Sequence, residues 1–200
     1  MTAPTVDYYL APISPWTYLG HARFSAMAKA AGATVRVKPM DLGVIFPVSG
    51  GLPLPKRAPQ RQAYRLVELK RFSDFLGVPM NLEPTYFPAP GTDAAHLIIA
   101  TDLAHGGAAA FDLAGRFGAA TWAQQRNIAD VAVQRTLLEE AGLPAALMDA
   151  AGAPEMAARY IAYTEEARDL GVFGAPSYVI DGEIFWGQDR LDFVERKLRG

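Results

Sequence analysis

An α/β fold is predicted, with a βαβ unit and a ββα unit separated by a long helical insertion. Three observations predict it. Short β-favouring runs fall only near the two ends of the 200-residue chain, at 6–10, 34–40, 177–180 and 183–186. A run of apolar residues at helical spacing, opened by Pro15, joins the first two of them. Between the two pairs lies an Ala-rich stretch from about Leu42 to Leu170, helical in pattern and punctuated by Gly and Pro.

Val6 to Leu10 is apolar and aromatic and reads as the first strand. Ala11-Pro12-Ile13-Ser14-Pro15 cannot continue a ladder. Pro15 suits the first position of a helix, where its missing N–H costs nothing, and Ser14 stands just before it. That helix is expected from Pro15 to Ala31, ending at Gly32, with Tyr18, Leu19, Ala22, Phe24, Met27 and Ala28 at helical spacing. Thr34 to Met40 alternates Val35 and Val37 with Arg36 and Lys38 and reads as a half-exposed strand.

The segment from Phe46 to Gln60 holds Pro47, Gly50, Gly51, Pro53, Pro55 and Pro59 and reads as a long loop, a feature often tied to function. Helices are expected at Arg61–Leu76, Asp93–His105, Ala108–Ala120 and Asn127–Ala141. Gly142 with Pro144, and Gly152 with Pro154, each mark a stop and a restart, the last helix running from Pro154 to Leu170. Ser177–Ile180 and Glu183–Trp186 flank Asp181-Gly182, a strong hairpin signal. A turn at Gly187-Gln188-Asp189 leads into a closing helix, Arg190 to Leu198. This order is the layout of a thioredoxin-like fold with a helical domain inserted, the expected division being 1–44 with 171–200 against 45–170.

Composition narrows the chemistry. The chain is long enough to bury a core without a metal or disulfide staple. A net charge of −2 with mixed signs argues against nucleic-acid binding. The absence of cysteine excludes disulfides, cysteine-ligated metals and a cysteine nucleophile within the chain. The three histidines show no metal-binding spacing, and none is assigned a catalytic role. With no apolar run of spanning length and no leader-like start, a soluble cytoplasmic protein without membrane contact is expected.

Thioredoxin-like redox proteins place Cys-x-x-Cys where this chain has Ser14-Pro15-Trp16-Thr17, with hydroxyls at both cysteine positions. Thiol–disulfide exchange needs two sulfurs and is excluded. A helix N-terminus still stabilises a thiolate, so the sulfur could arrive on a ligand, with the Ser14 hydroxyl donating to it. Equally, Ser14 could be an ordinary N-cap. Ala175-Pro176-Ser177 suggests a cis peptide opposite that helix start, against the commoner trans proline. Gln188 and Asp189 could hold an α-amino acid end, or Asp189 could merely cap the closing helix. Lys56 and Arg57, with Arg61, Tyr64 and Arg65 after them, could bind an anion or form a solvated face. Trp122 reads as core.

The run from Val6-Asp7-Tyr8-Tyr9 to Ser14-Pro15-Trp16-Thr17-Tyr18-Leu19, together with Gly171 to Ser177 and Trp186-Gly187-Gln188-Asp189-Arg190, resembles the 2-hydroxychromene-2-carboxylate isomerases. These are relatives of kappa-class glutathione transferases and of DsbA-like oxidoreductases. The segments from Lys56 to Tyr64 and from Leu69 to Pro79 are similar to that family's first inserted helix. The resemblance implies a glutathione-dependent isomerase active in aromatic catabolism, working by thiolate addition, ring opening and elimination, and assembled as a homodimer. It implies that Ser14 contacts the glutathione sulfur, that Ala175 and Pro176 pair with its cysteinyl backbone, and that Gln188 and Asp189 hold its γ-glutamyl end. It further implies that Lys56 or Arg57 faces the carboxylate of a small aromatic substrate or the glycyl end of glutathione, and Trp16 and Trp186 suit the walls of the substrate pocket. Pro12 departs from the family's pattern on the substrate side. A kappa-like transferase and a non-catalytic thiol- or peptide-binding module are the competing readings.

Overall fold

Four strands form one mixed sheet in the order β2-β1-β3-β4, in a computed structural model that describes residues 3–200. Strand β1 is Thr5–Leu10 and β2 is Thr34–Pro39; they pair in parallel, Val6 opposite Val35 and Tyr8 opposite Val37. Helix α1, Pro15–Ala30, is the crossover between them. Strands β3, Ser177–Ile180, and β4, Glu183–Trp186, add antiparallel, with Tyr178 opposite Tyr8 on one side and Phe185 on the other. Both residues of the Asp181-Gly182 turn have positive φ, 51° and 79°, as a two-residue hairpin of matching twist requires.

The insertion comprises α2, Leu42–Ser49; α3, Pro59–Leu76; α4, Thr92–His105; α5, Gly107–Trp122; α6, Val131–Glu140; α7, Leu147–Ala151; and α8, Pro154–Asp169. Helix α9, Leu191–Arg199, closes the chain. One apolar cluster runs from the sheet through the insertion, joining Val6, Tyr8 and Ile180 to Ile98, Phe117 and Leu138. Tyr8 and Tyr178 stack at its centre, 5.3 Å apart with their rings nearly parallel, and Phe24 packs tilted against both. The expected junction at 44/45 falls inside α2, and that at 170/171 falls at the end of α8.

Three expectations are corrected. The 46–60 segment is not one loop, because α2 runs on to Ser49 and residues 54–56 form a 3-10 turn. Pro47 is accommodated since α2 is short: the carbonyl it leaves without a partner is Gly43's, in the exposed first turn that Asp41 caps. Helix α6 starts at Val131 rather than Asn127, because Asn127 and Asp130 accept from the amides of Ala129 and Ala132 and hold the chain in a turn before capping it.

Lys38 is the third correction, since it is buried rather than on a solvated face of β2. Its Nζ lies 3.0 Å from Asp7 Oδ1 and 2.6 Å from Glu166 Oε1, with the rings of Tyr9 and Tyr163 beside it. Removing one member of such a group strands the other charges, at a cost of about 3–5 kcal/mol. Arg36 also pairs with Asp7, so Lys38→Met is expected at the low end, about 3 kcal/mol, read as a lowered urea midpoint.

Candidate functional site

The start of α1 and the loop before β3 meet. Ser14 caps α1, its Oγ accepting from the Thr17 amide at 3.2 Å. That leaves the hydroxyl hydrogen to donate, and it points to the Ala175 carbonyl at 3.4 Å, a long bond in need of a better acceptor. Ser14 N donates to Ala11, Pro15 has no N–H, and the Thr17 amide is used. The Trp16 amide is therefore the first-turn donor without a protein partner among the described residues. Ala175-Pro176 is cis, and the amide of Ala175 has no partner either. Ser14 and Ala175 are both buried, which keeps water sparse around these donors.

Trp186 stands half exposed beside this loop, its indole against Gly174 and packed on Phe173 at 4.7 Å. Any side chain at residue 174 would collide with the indole, so glycine is what lets Trp186 lie over the loop. Trp16 turns the other way and meets Phe72 of α3 edge-on at 6.0 Å.

Gln188 and Asp189 lie in a 3-10 turn, residues 188–190, just before α9. Asp189 does not cap that helix; it is exposed and pairs with Arg190. Gln188 is turned inward, its Oε1 accepting from Arg23 at 3.3 Å and its Nε2 buried without a partner. It fits there because Gly20 has no side chain: a Cβ on Gly20 would come within 2.6 Å of Gln188 Cβ. The Gln188 side chain thus anchors the turn under α1, and Asp189 is the polar side chain of the pair that faces solvent.

Of the basic residues, Lys56 is exposed and touches no charged group among the described residues. Arg57 donates to the Leu52 carbonyl at 2.8 Å and lies over the Phe46 ring. Burial, then the charge of Arg61, lowers its pKa. Arg65, the last member of that basic run, lies over the rings of Phe87 and Trp122. Burial, aided by Arg57, lowers its pKa to about 10, which leaves it charged at neutral pH. Trp122 is buried as expected, and its indole N–H donates to the Ile13 carbonyl at 3.2 Å, one residue before Ser14.

The three expected positions around Ser14, namely the loop at 175–176, the turn at 188–189 and the aromatic Trp16, are thus all tied to α1. A cavity of about 510 Å³ lies farther along α1, lined by Tyr18, His21, Gly115 and Arg116 among others; neither Ser14 nor Ala175 reaches it. No cluster of side chains suited to a metal ion occurs among the described residues, and no helix there is long and apolar enough to cross a membrane.

A thioredoxin-type sheet with hydroxyls where the redox pair would stand defines the class, and the family model described as a DSBA-like thioredoxin domain matches residues 5–199. The chain belongs to that family. It is 28% identical to a 2-hydroxychromene-2-carboxylate isomerase of Sphingobium xenophagum, over 97% of both chains. It is 25% identical to the protein of that name from Pseudomonas putida, over 96% of this chain and 93% of that one. The solved structure of a selenomethionine 2-hydroxychromene-2-carboxylate isomerase superposes with a TM-score of 0.81 at 25% identity, covering 98% of this chain and 94% of the other.

Proposed function

We propose that the protein is a glutathione-dependent isomerase interconverting 2-hydroxychromene-2-carboxylate, or a close aromatic analogue, with trans-o-hydroxybenzylidenepyruvate. The observation that carries this reading is the pairing of a weakly held Ser14 O–H and a free Trp16 N–H against the backbone of Ala175, in a chain without its own thiol. Those groups fit a thiolate attached to a peptide, and the names borne by the full-length relatives supply the reaction.

When bound, glutathione supplies a sulfur nucleophile that can add to a conjugated carbon and later leave it. The protein's share is electrostatic and positional. Two donors at a helix N-terminus lower the proton affinity of a sulfur held there; a free thiol titrates near ~8.5, and such a site brings it toward neutrality. Ala175 offers one N–H and one C=O to the ligand's peptide in the manner of an added strand. Asp189 presents a carboxylate to an ammonium, and Trp186 with Phe173 covers the apolar side. Arg57 lies near Arg65, and with Lys56 it would draw a carboxylate toward the protein.

The test is titration of the protein with glutathione at pH 7, followed by thiolate absorbance in the ultraviolet, and then addition of the chromene. A stoichiometric thiolate band and glutathione-dependent equilibration of the two isomers are expected. Absence of the band removes the reading. A band accompanied by conjugation of aryl halides and no isomerisation places the protein with transferases instead.

A further inference from the structure

Arg65 carries the least explained charge in the molecule. It follows Arg61 by one turn on the face of α3 that continues through Leu69 and Phe72. No carboxylate lies within ion-pair distance of Arg57, Arg61 or Arg65 among the described residues, and the Arg65 guanidinium makes no hydrogen bond to the protein there. A cation that is half-buried and unpaired is unfavourable. The structure offsets part of this with two aromatic faces, the centroids of Phe87 and Trp122 lying 5.3 and 5.7 Å from the guanidinium carbon. Stacking of that kind leaves the five N–H donors of the fork free for an anion.

The seat of this side chain is fastened to the proposed site from two directions. Trp122 bonds the Ile13 carbonyl, next to Ser14, and Phe72 meets Trp16 in the first turn of α1. Phe87 and Trp122 in turn pack on each other at 4.7 Å and form a continuous aromatic wall. Arg57 and Arg61 lie close enough to raise the local positive potential without filling the fork. A solvated face does not describe this arrangement, because Arg65 is half-buried while Arg61 and Arg71 on the same helix are exposed.

We propose that Arg65 is the carboxylate anchor of the site and fixes its specificity: it holds a planar, conjugated carboxylate by a two-pronged pair, with the rest of the ligand against Phe87, which Trp122 backs from within. The inference deepens the proposed function and rests on it for the neighbouring sulfur, but not for the anion. Lys56 and Arg57 then act by attraction rather than by contact.

The test uses calorimetric titration of the full chain, without glutathione, with trans-cinnamate and with cinnamyl alcohol. The unaltered protein is expected to favour the acid by at least about 10-fold, the discrimination a charge-assisted pair confers. Arg65→Met keeps an apolar stem on the two rings and should abolish that preference while leaving the alcohol unchanged. Arg65→Lys keeps the charge but not the fork and should fall between the two. Unfolding temperatures within a few degrees of one another establish that each variant is folded; if the Met variant is not, the Lys variant decides by losing part of the preference. Equal binding of acid and alcohol by the unaltered protein, or undiminished cinnamate binding after either substitution, overturns the proposal. A cinnamate preference in a protein that shows no glutathione thiolate band keeps the anchor and discards the sulfur chemistry, while the reverse result discards the anchor alone.

Discussion

Ser14→Ala is expected to lower glutathione-dependent turnover by about 100-fold, the usual loss when one preorganised donor to a developing or resident anion is removed. The geometry gives the reason. Ser14 Oγ is already an acceptor for the Thr17 amide, so its hydrogen is what it has left to give. The acceptor it now meets, the Ala175 carbonyl, is at the far limit of hydrogen-bond length. A sulfur anion between the helix start and that loop would take the hydrogen instead. Without it, the Trp16 amide and the helix dipole remain, and the apparent thiol pKa should rise toward ~8.5, the value of a free thiol. Loss of the cap itself costs about 1 kcal/mol of stability. Ser14→Gly separates the two effects, since glycine caps almost as well as serine and donates nothing. Turnover and thiolate pKa in the Gly variant should match those of the Ala variant, with stability near that of the parent. A Gly variant that keeps full turnover would show that the hydroxyl serves only the helix.

The fold was open to sequence reasoning wherever one local rule dominated. Pro15 after Ser14 fixes the start of α1, and Asp181-Gly182 fixes the β3–β4 hairpin, because each demands a backbone geometry few residues tolerate. The reading of 46–60 as loop failed because proline density is a statement about interiors of long helices; α2 is too short for Pro47 to disrupt much. Lys38 was read as solvated because alternation along β2 says which residues share a face, not what covers it. Helix α8 covers that face and supplies Glu166 to the lysine. The site divides in the same way. Ser14 is legible because a helix start is a local feature, and Gly174 and Pro176 mark the loop opposite. Arg65 is not, since its meaning depends on Phe87 and Trp122, 22 and 57 residues farther along the chain. The sequence shows it only as the last member of the basic run from Lys56, which reads as an anion site or as a solvated face.

Acid should weaken the fold through His21, by up to about 3 kcal/mol between pH 6.5 and pH 4. The ring is stacked on Phe111 at 4.0 Å, its Nδ1 lies 3.3 Å from the Tyr8 hydroxyl, and a Cβ at Gly115 would reach it at 2.7 Å. Only its edge toward the cavity along α1 stays accessible. Burial lowers its pKa to about 4, against the opposing pull of the Phe111 backbone and of the Asp112 charge. The other charges near the cavity, Arg116 and Glu140, are each held in ion pairs of their own. In the unfolded chain the same imidazole titrates near ~6.5. Between those two values the unfolded state binds a proton that the folded state does not, so stability is complete above the upper value and declines as pH falls toward the lower one. The double variant Tyr8→Phe/His21→Phe keeps an aromatic ring at both positions and removes both the titrating group and the hydroxyl it would leave unpaired. Its unfolding free energy from urea titrations should change less between pH 7 and pH 4.5 than that of the parent, by about 2–3 kcal/mol, because the carboxylates titrate alike in both. Identical pH dependence in the two proteins would mean that the folded state accepts the proton. Since His21 stands on α1 opposite α5, the helix that carries Ser14 at its start should loosen only near pH 4, where the folded state itself takes up the proton.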